Sequence, residues 1–151
     1  MNENRKAIIR ELTKSYWMEI ETIMNYLANS VNLDGVRAEE IKKALSADVQ
    51  EELVHAQKLA QRIKTIGGNI PGSMQFEAVQ QEVQPPAKTT DVISVIKGVI
   101  VAEDSAIEQY NKIAKLCEGV DLVTQDLVIQ ALADEEKHRR DFVGYLAEYE
   151  N

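Results

Sequence analysis

The chain has a single cysteine, Cys117, so no disulfide can form within it, and nothing in its cysteine usage points to an oxidising compartment. That lone thiol reads as a small core residue late in a helix. Prolines number three and glycines seven in 151 residues, which leaves long stretches free of helix breakers. Aromatic residues make up 5% of the chain, too few to suit a β-sandwich and ordinary for packed helices. No apolar run is long enough to span a bilayer. The longest, Val92 to Ala102, is interrupted by Ser94, Lys97 and Gly98. Positive charge is also scarce: 17 Lys and Arg stand against 25 Asp and Glu, a net charge of -8. The cations are scattered, which excludes nucleic-acid binding by a basic face. The start of the chain, Asn2 to Lys6, leads into a charged amphipathic segment and not into a signal peptide. The expectation is a cytoplasmic protein.

What is present is helical rhythm. Ile41, Leu45, Val49, Glu52, His55, Leu59, Ile63 and Ile66 follow each other at steps of three or four, the spacing of one buried helix stripe. A carboxylate and an imidazole therefore occupy positions meant for Leu or Ile. An uncompensated charge there costs on the order of several kcal/mol, so it needs a partner or a metal. Glu and His three apart lie roughly 60° apart around a helix and about 4.5 Å apart along it, so both can reach one ion.

Three further helices carry similar stripes. The first, about 4–30, buries Ile9, Leu12, Tyr16, Glu19, Ile23 and Tyr26, with Glu21 off the seam. The second runs from about 36 to 66 and ends at Gly67-Gly68. The third, about 90–116, opens at Thr90-Asp91 and buries Val92, Ile96, Val99, Glu103, Ala106, Ile107, Tyr110 and Ile113. The fourth, about 122–148, turns Val128, Ala131, Glu135, His138, Phe142 and Leu146 inward. Residues 67–88, holding Asn69, all three prolines, Gly72 and Ser73, form a connection instead of a helix.

The halves repeat. Glu19 and Tyr26 are seven apart, as are Glu103 and Tyr110; Glu52-x-x-His55 begins 33 residues after Glu19, and Glu135-x-x-His138 begins 32 after Glu103. Each half is a helix with one Glu followed by a helix with Glu-x-x-His, which marks a duplicated unit. Within each hairpin the two Glu lie nearly equally far from the turn and so meet at one height. If the second and third helices run parallel, the link must return along the bundle, roughly 45 Å at about 1.5 Å per residue. Residues 67–88 reach about 70 Å when extended at about 3.3 Å each, which gives the long crossover its reason.

The expected fold is all-α: an antiparallel four-helix bundle, one domain over 1–151, with the crossover between helices 2 and 3. Four Glu and two His then converge, and two divalent cations would neutralise the four carboxylates. That arrangement matches the di-iron or di-manganese pattern of four-helix bundles. Oxygen-rich ligands with one imidazole per ion suit iron, or manganese, better than structural zinc. The alternative is a bundle with buried, hydrogen-bonded polar layers. Glu51, Asp104, Glu108 and Glu136 are out of phase and read as solvated or as supports to the ligands. Tyr26 and Tyr110 read either as core aromatics or as hydroxyls that orient a ligand carboxylate of another helix.

With Glu19, Tyr26, Glu52-x-x-His55, Glu103 and Glu135-x-x-His138 in place, the chain resembles the ferritin-like superfamily over nearly its whole length, and bacterioferritins most. The resemblance implies that Glu52 and Glu135 bridge two irons, with Glu19 and His55 completing one and Glu103 and His138 the other. It implies oxidation of ferrous iron by dioxygen or peroxide, with mineral storage as a further role. Bacterioferritins ligate haem through a Met directly after the first bridging Glu; that position here is Leu53, so no haem is expected. Ferritin shells often add a short fifth helix, whereas this chain stops at Asn151, so a full shell is not expected. Exposed outer helix faces lead instead to the expectation of a homo-oligomer of at least two copies. Ile8, Ile20 and Leu27 are expected to form its outer, pairing face. A rubrerythrin-like peroxide reductase is the second enzymatic reading, although rubrerythrins carry a Glu where this chain has Ala106. A di-metal bundle without turnover is the third.

Overall fold

A computed structural model describes residues 1–150. Four long helices dominate: α1 (Glu3–Asn32), α2 (Glu39–Thr65), α3 (Val92–Cys117) and α4 (Leu122–Tyr149). A 3-10 turn at Val36–Ala38 leads into α2, and another, Ser73–Gln75, lies in the crossover. No strand occurs among the described residues, so the fold is the expected four-helix bundle.

Local chemistry sets the helix ends. Asn2 accepts a hydrogen bond from the Arg5 amide, Asp91 from Ser94, and Asp121 from Thr124. Each satisfies one of the donors that a helix N-terminus leaves open. At the C-terminus of α2, Gly67 adopts φ +99°, and the Gly68 amide returns to the Ile63 carbonyl at 2.8 Å. Only glycine enters that left-handed region without strain.

The pairs α1–α2 and α3–α4 pack as hairpins, which meet along α1 and α3. Their apolar faces form two clusters. One holds Tyr26, Leu33, Ile41, Leu45, Val92, Ile96, Val99 and Phe142. The other holds Ile8, Leu12, Leu59, Ile63, Tyr110, Ile113, Cys117 and Val128. The beginnings of α2 and α3 both lie in the first cluster, so these two helices run parallel, and the connection travels the length of the bundle.

The crossover is fastened along α1. The buried Glu21 carboxylate accepts from the backbone amides of Val79 and Gln80 at 2.8–3.0 Å. Asn25 bonds the Gln80 side chain, and Asn29 donates to the Val83 carbonyl at 2.8 Å. The Val83 side chain is buried in the first cluster. Across it, Gly98 lets the chain approach α3 so closely that a Cβ there would stand 2.2 Å from the Glu82 carbonyl oxygen.

The helix phase corrects several expectations on α1. Ile8, expected on the outer face, is 1% exposed. It lies one turn before Leu12 and shares that residue's buried stripe. Ile9, Tyr16 and Ile23, expected on the seam, are only half-buried, whereas Leu27 is exposed as expected.

Candidate metal centre

Between the two apolar clusters lies a polar layer. The mid-points of the helices place Glu19 from α1, Glu52 and His55 from α2, Glu103 from α3, and Glu135 and His138 from α4 in it. All six are buried, none more than 5% exposed. Their ligand-type atoms form two groups, each with its members within 4.8 Å of one another. One group is Glu19, Glu52, His55 and Glu135; the other is Glu52, Glu103, Glu135 and His138. Glu52 and Glu135 belong to both. The two oxygens of Glu52 divide between them: Oε2 lies 3.7 Å from His55 Nδ1, and Oε1 lies 3.3 Å from His138 Nδ1. Glu135 Oε1 lies 3.1 Å from His55 Nδ1 and 3.9 Å from His138 Nδ1. Glu19 Oε2 lies 3.4 Å from His55 Nδ1, and Glu103 Oε1 lies 3.8 Å from His138 Nδ1.

These short distances do not make a closed hydrogen-bond network. Glu19 Oε2, both Glu52 oxygens, Glu103 Oε2, Glu135 Oε1 and the Nδ1 atoms of both histidines have no hydrogen-bond partner of good geometry. Buried polar atoms are nearly always paired, so this many orphans in one layer call for a missing partner. Within each group the ligand-type atoms crowd to within 4.8 Å of one another. Carboxylate oxygens with one imidazole nitrogen per group fit iron or manganese. A layer of ordinary hydrogen bonds would leave no such set.

Protons stand in for positive charge while the side chains have only each other. Burial would raise Glu52, but the imidazoles of His138 and His55 hold it down at about 2. Burial and the nearby Glu52 charge push Glu103 up to about 7. Glu135 is raised well above the ordinary carboxylate range by burial and by the adjoining Glu103 and Glu52. Burial would lower His138, yet Glu52, Asp48 and Glu103 lift it to about 10. Four carboxylates in one dry layer cannot all ionise unless cations answer them.

The Tyr26 hydroxyl donates to Glu103 Oε1 at 2.7 Å. The Tyr110 hydroxyl, its counterpart in the repeat, is buried without a partner, and its ring stands edge-on to His55 at 6.4 Å between centroids. Asp104 pairs with Arg139 at the surface. Glu51 bonds the Nε2 atom of His138, and Asp134 bonds Nε2 of His55 at 2.8 Å. Asp48 approaches His138 Nε2 at 3.4 Å. Sequence reasoning passed over Asp134 and Asp48. Gln50, Glu51, Val54, His55, Lys58 and Asp134 line a shallow cleft by which solvent reaches the edge of the layer. A roomier surface cleft, lined by Arg10, Lys14, Trp17 and Lys112 among others, lies on α1 and α3, away from these side chains.

Comparison with known proteins gives concordant results. The family model described as the ferritin-like domain matches residues 9–151. A bacterioferritin of Desulfovibrio desulfuricans is 29% identical over 138 residues, covering 90% of this chain and 73% of that protein. Among solved structures, a ferritin-like diiron-carboxylate protein of Bacillus anthracis superposes with a TM-score of 0.85 at 22% identity, covering 97% of this chain and 99% of that one. The crystal structure of the D. desulfuricans bacterioferritin, described with its diiron site in different catalytic states, gives 0.85 at 24% identity, covering 100% and 85%. A dodecameric thioferritin of Bacteroides fragilis gives 0.84 at 24% identity, covering 96% and 87%.

Proposed function

The chain belongs to the ferritin-like domain family, and from that premise we propose that its central layer binds two ferrous ions and oxidises them. The observation that carries this reading is the pair of four-residue groups sharing Glu52 and Glu135, with inward-facing atoms that lack hydrogen-bond partners. Glu19 and His55 hold one ion, Glu103 and His138 the other, and the two shared carboxylates bridge them. Two ferrous ions each give up one electron, and dioxygen takes both with two protons to leave hydrogen peroxide.

The chain's own residues have three tasks. The bridging carboxylates fix the ion separation, and their negative charge favours the ferric product. Carboxyl and imidazole protons held in the metal-free layer leave as the cations arrive, so binding weakens as pH falls. The apolar clusters above and below keep bulk water from the ions, which strengthens each charge interaction. Leu53 offers no thioether sulfur, and no haem takes part. The reaction is that of a cytoplasmic iron oxidase, and mineral storage is its natural extension.

Aerobic addition of ferrous iron tests the reading. Glu135→Ala should slow oxidation by at least about 100-fold, since even partners outside the ligand set cost roughly 10–100-fold. Glu136→Ala, adjacent and exposed, should change it by less than about two-fold. Equal rates in the two variants would reject the bridging role.

A further inference from the structure

Away from the metal layer, one cleft gathers positive charge beside the chain's only tryptophan. It lies between α1, α3 and the crossover and has a volume of about 1070 Å³. Small-molecule sites typically occupy roughly 300–1,000 Å³, so there is room for a ligand and its water. The helices α1 and α3 run antiparallel, since Gln109 donates to Glu11 and Tyr26 to Glu103. Arg10 and Lys14, one turn apart on α1, therefore stand level with Lys112 and Lys115 on α3 and close one end of the cleft. All four are exposed. Lys112 is held by Glu11 at 3.2 Å, whereas Arg10, Lys14 and Lys115 enter no ion pair among the described residues. Such a cluster stands out in a chain of net charge -8.

Three acids also line the cleft. Glu21 is occupied by the backbone amides of Val79 and Gln80. Glu77 on the crossover and Glu108 on α3 are exposed and, among the described residues, pair with none of the four cations. Farther along, the lining turns aromatic and apolar with Trp17, Met18 and Val79. Trp17 is half-buried. The rings of Phe76 and Tyr16 brace it at 5.1 and 5.4 Å between centroids, tilted by 48° and 49°, so neither lies flat on the indole. From Lys14 to Trp17 is about 4.5 Å along the helix axis, at about 1.5 Å per residue.

We propose that this cleft binds a planar aromatic ring carrying a phosphate, the chemistry of a mononucleotide. The phosphate lies among Arg10, Lys14, Lys112 and Lys115, and the ring lies against Trp17. Guanidinium and ammonium groups both bind phosphate oxygens, and an indole face accepts any base. An inorganic anion would use the cationic end alone, and an uncharged aromatic the other end alone. Their separation along one cleft selects the molecule that joins them. Four cations at one end are too local to follow a nucleic-acid backbone, so the occupant is a single nucleotide and not a strand. The site is independent of the buried layer and of the reaction proposed for it.

Adenosine monophosphate and flavin mononucleotide are the probes, titrated into the full-length protein at low salt. Calorimetry follows binding, and so does the fluorescence of Trp17, the only indole present. At least one probe should bind with a Kd below about 1 mM and quench the indole, while adenosine, riboflavin and inorganic phosphate bind at least about 10-fold more weakly. Lys14→Glu and Lys115→Glu should each weaken the bound probe by about 10-fold, and by less as salt is raised. Lys43→Glu, an exposed site on α2 outside the cleft, should match the parent. Trp17→Leu, followed by calorimetry, should also cost about 10-fold. Because Trp17 packs against Phe76, its variant is compared with the parent by circular dichroism, and the two lysine variants carry the test if it does not fold. Failure of both probes to bind below about 1 mM would overturn the proposal. So would affinities that Lys14→Glu and Lys115→Glu leave unchanged, or inorganic phosphate binding as tightly as the probes. Each of these failures would leave the di-metal reading standing, since its own test is ferrous oxidation.

Discussion

Six side chains stood out in the sequence because each breaks an apolar rhythm. Glu52 and His55, for instance, occupy stripe positions between Val49 and Leu59. Asp134 and Asp48 break no rhythm. They sit beside the stripe and act by reaching sideways to another helix, a contact that periodicity along one helix does not encode. Glu51 was legible only as an acid flanking the site, for the same reason. The protonation of the layer leads to a prediction about acid and base. Glu103, Asp48 and Glu135 are all raised, chiefly by burial, the first two to about 7 and about 6. Between the ordinary carboxylate value and those levels, the unfolded chain sheds protons that the metal-free fold keeps, so stability falls as pH rises through that window. His55 and His138 are raised against burial by their carboxylates. Their contribution is complete below the ordinary value of 6.5 and fades as pH climbs above it, for His138 toward about 10. Glu52 and Asp121, both lowered, withdraw support only at more acidic pH, Glu52 toward about 2. Metal-free protein should therefore melt at a higher temperature near pH 5 than near pH 9. Two bound divalent ions should reverse that order, because they replace the protons. Calorimetric scans of both forms at the two pH values check the signs, and an unchanged order on metal addition would contradict the account.

At the scale of elements, the four helices were legible because each carries a long stripe between clear stop signals. The crossover was legible as a length that had to be spanned, but its seat was not. A trace was present: Glu21, Asn25 and Asn29 recur every four residues on one face of α1, as polar residues do when they hold an irregular segment by its backbone. Reading them required knowing that the crossover passes over that face. Gly98 is the complementary feature on α3. Gly98→Ala favours the helix by propensity, about 1 kcal/mol, yet places a methyl 2.2 Å from a backbone oxygen that cannot swing aside. The clash should win, for a net loss of about 1–3 kcal/mol, as overpacking generally costs. Chemical denaturation would measure it. A stabilised variant would show that the crossover is free to lift from α3.

For the whole molecule, the outer surface of the α1–α2 hairpin carries Met24, Leu27, Val31 and Leu53, each between 42% and 69% exposed. The first three lie on one face of α1 at steps of three and four. Such a stripe on a small bundle suits a two-fold contact with a second copy, and we expect at least a dimer. Light scattering at micromolar concentration should give a multiple of 17.0 kDa, and Leu27→Glu should lower it. A monomeric parent would remove the expectation. The division of the ligand set between the halves has a separate consequence. Each four-residue group draws three members from one hairpin and one from the other: Glu135 completes the group on α1 and α2, and Glu52 completes the group on α3 and α4. Neither hairpin alone can assemble a full coordination set. The centre works like a lock that needs two keys, and a half-made chain offers ferrous iron no complete place to react. Under the function proposed above, redox chemistry would be confined to molecules that have finished folding.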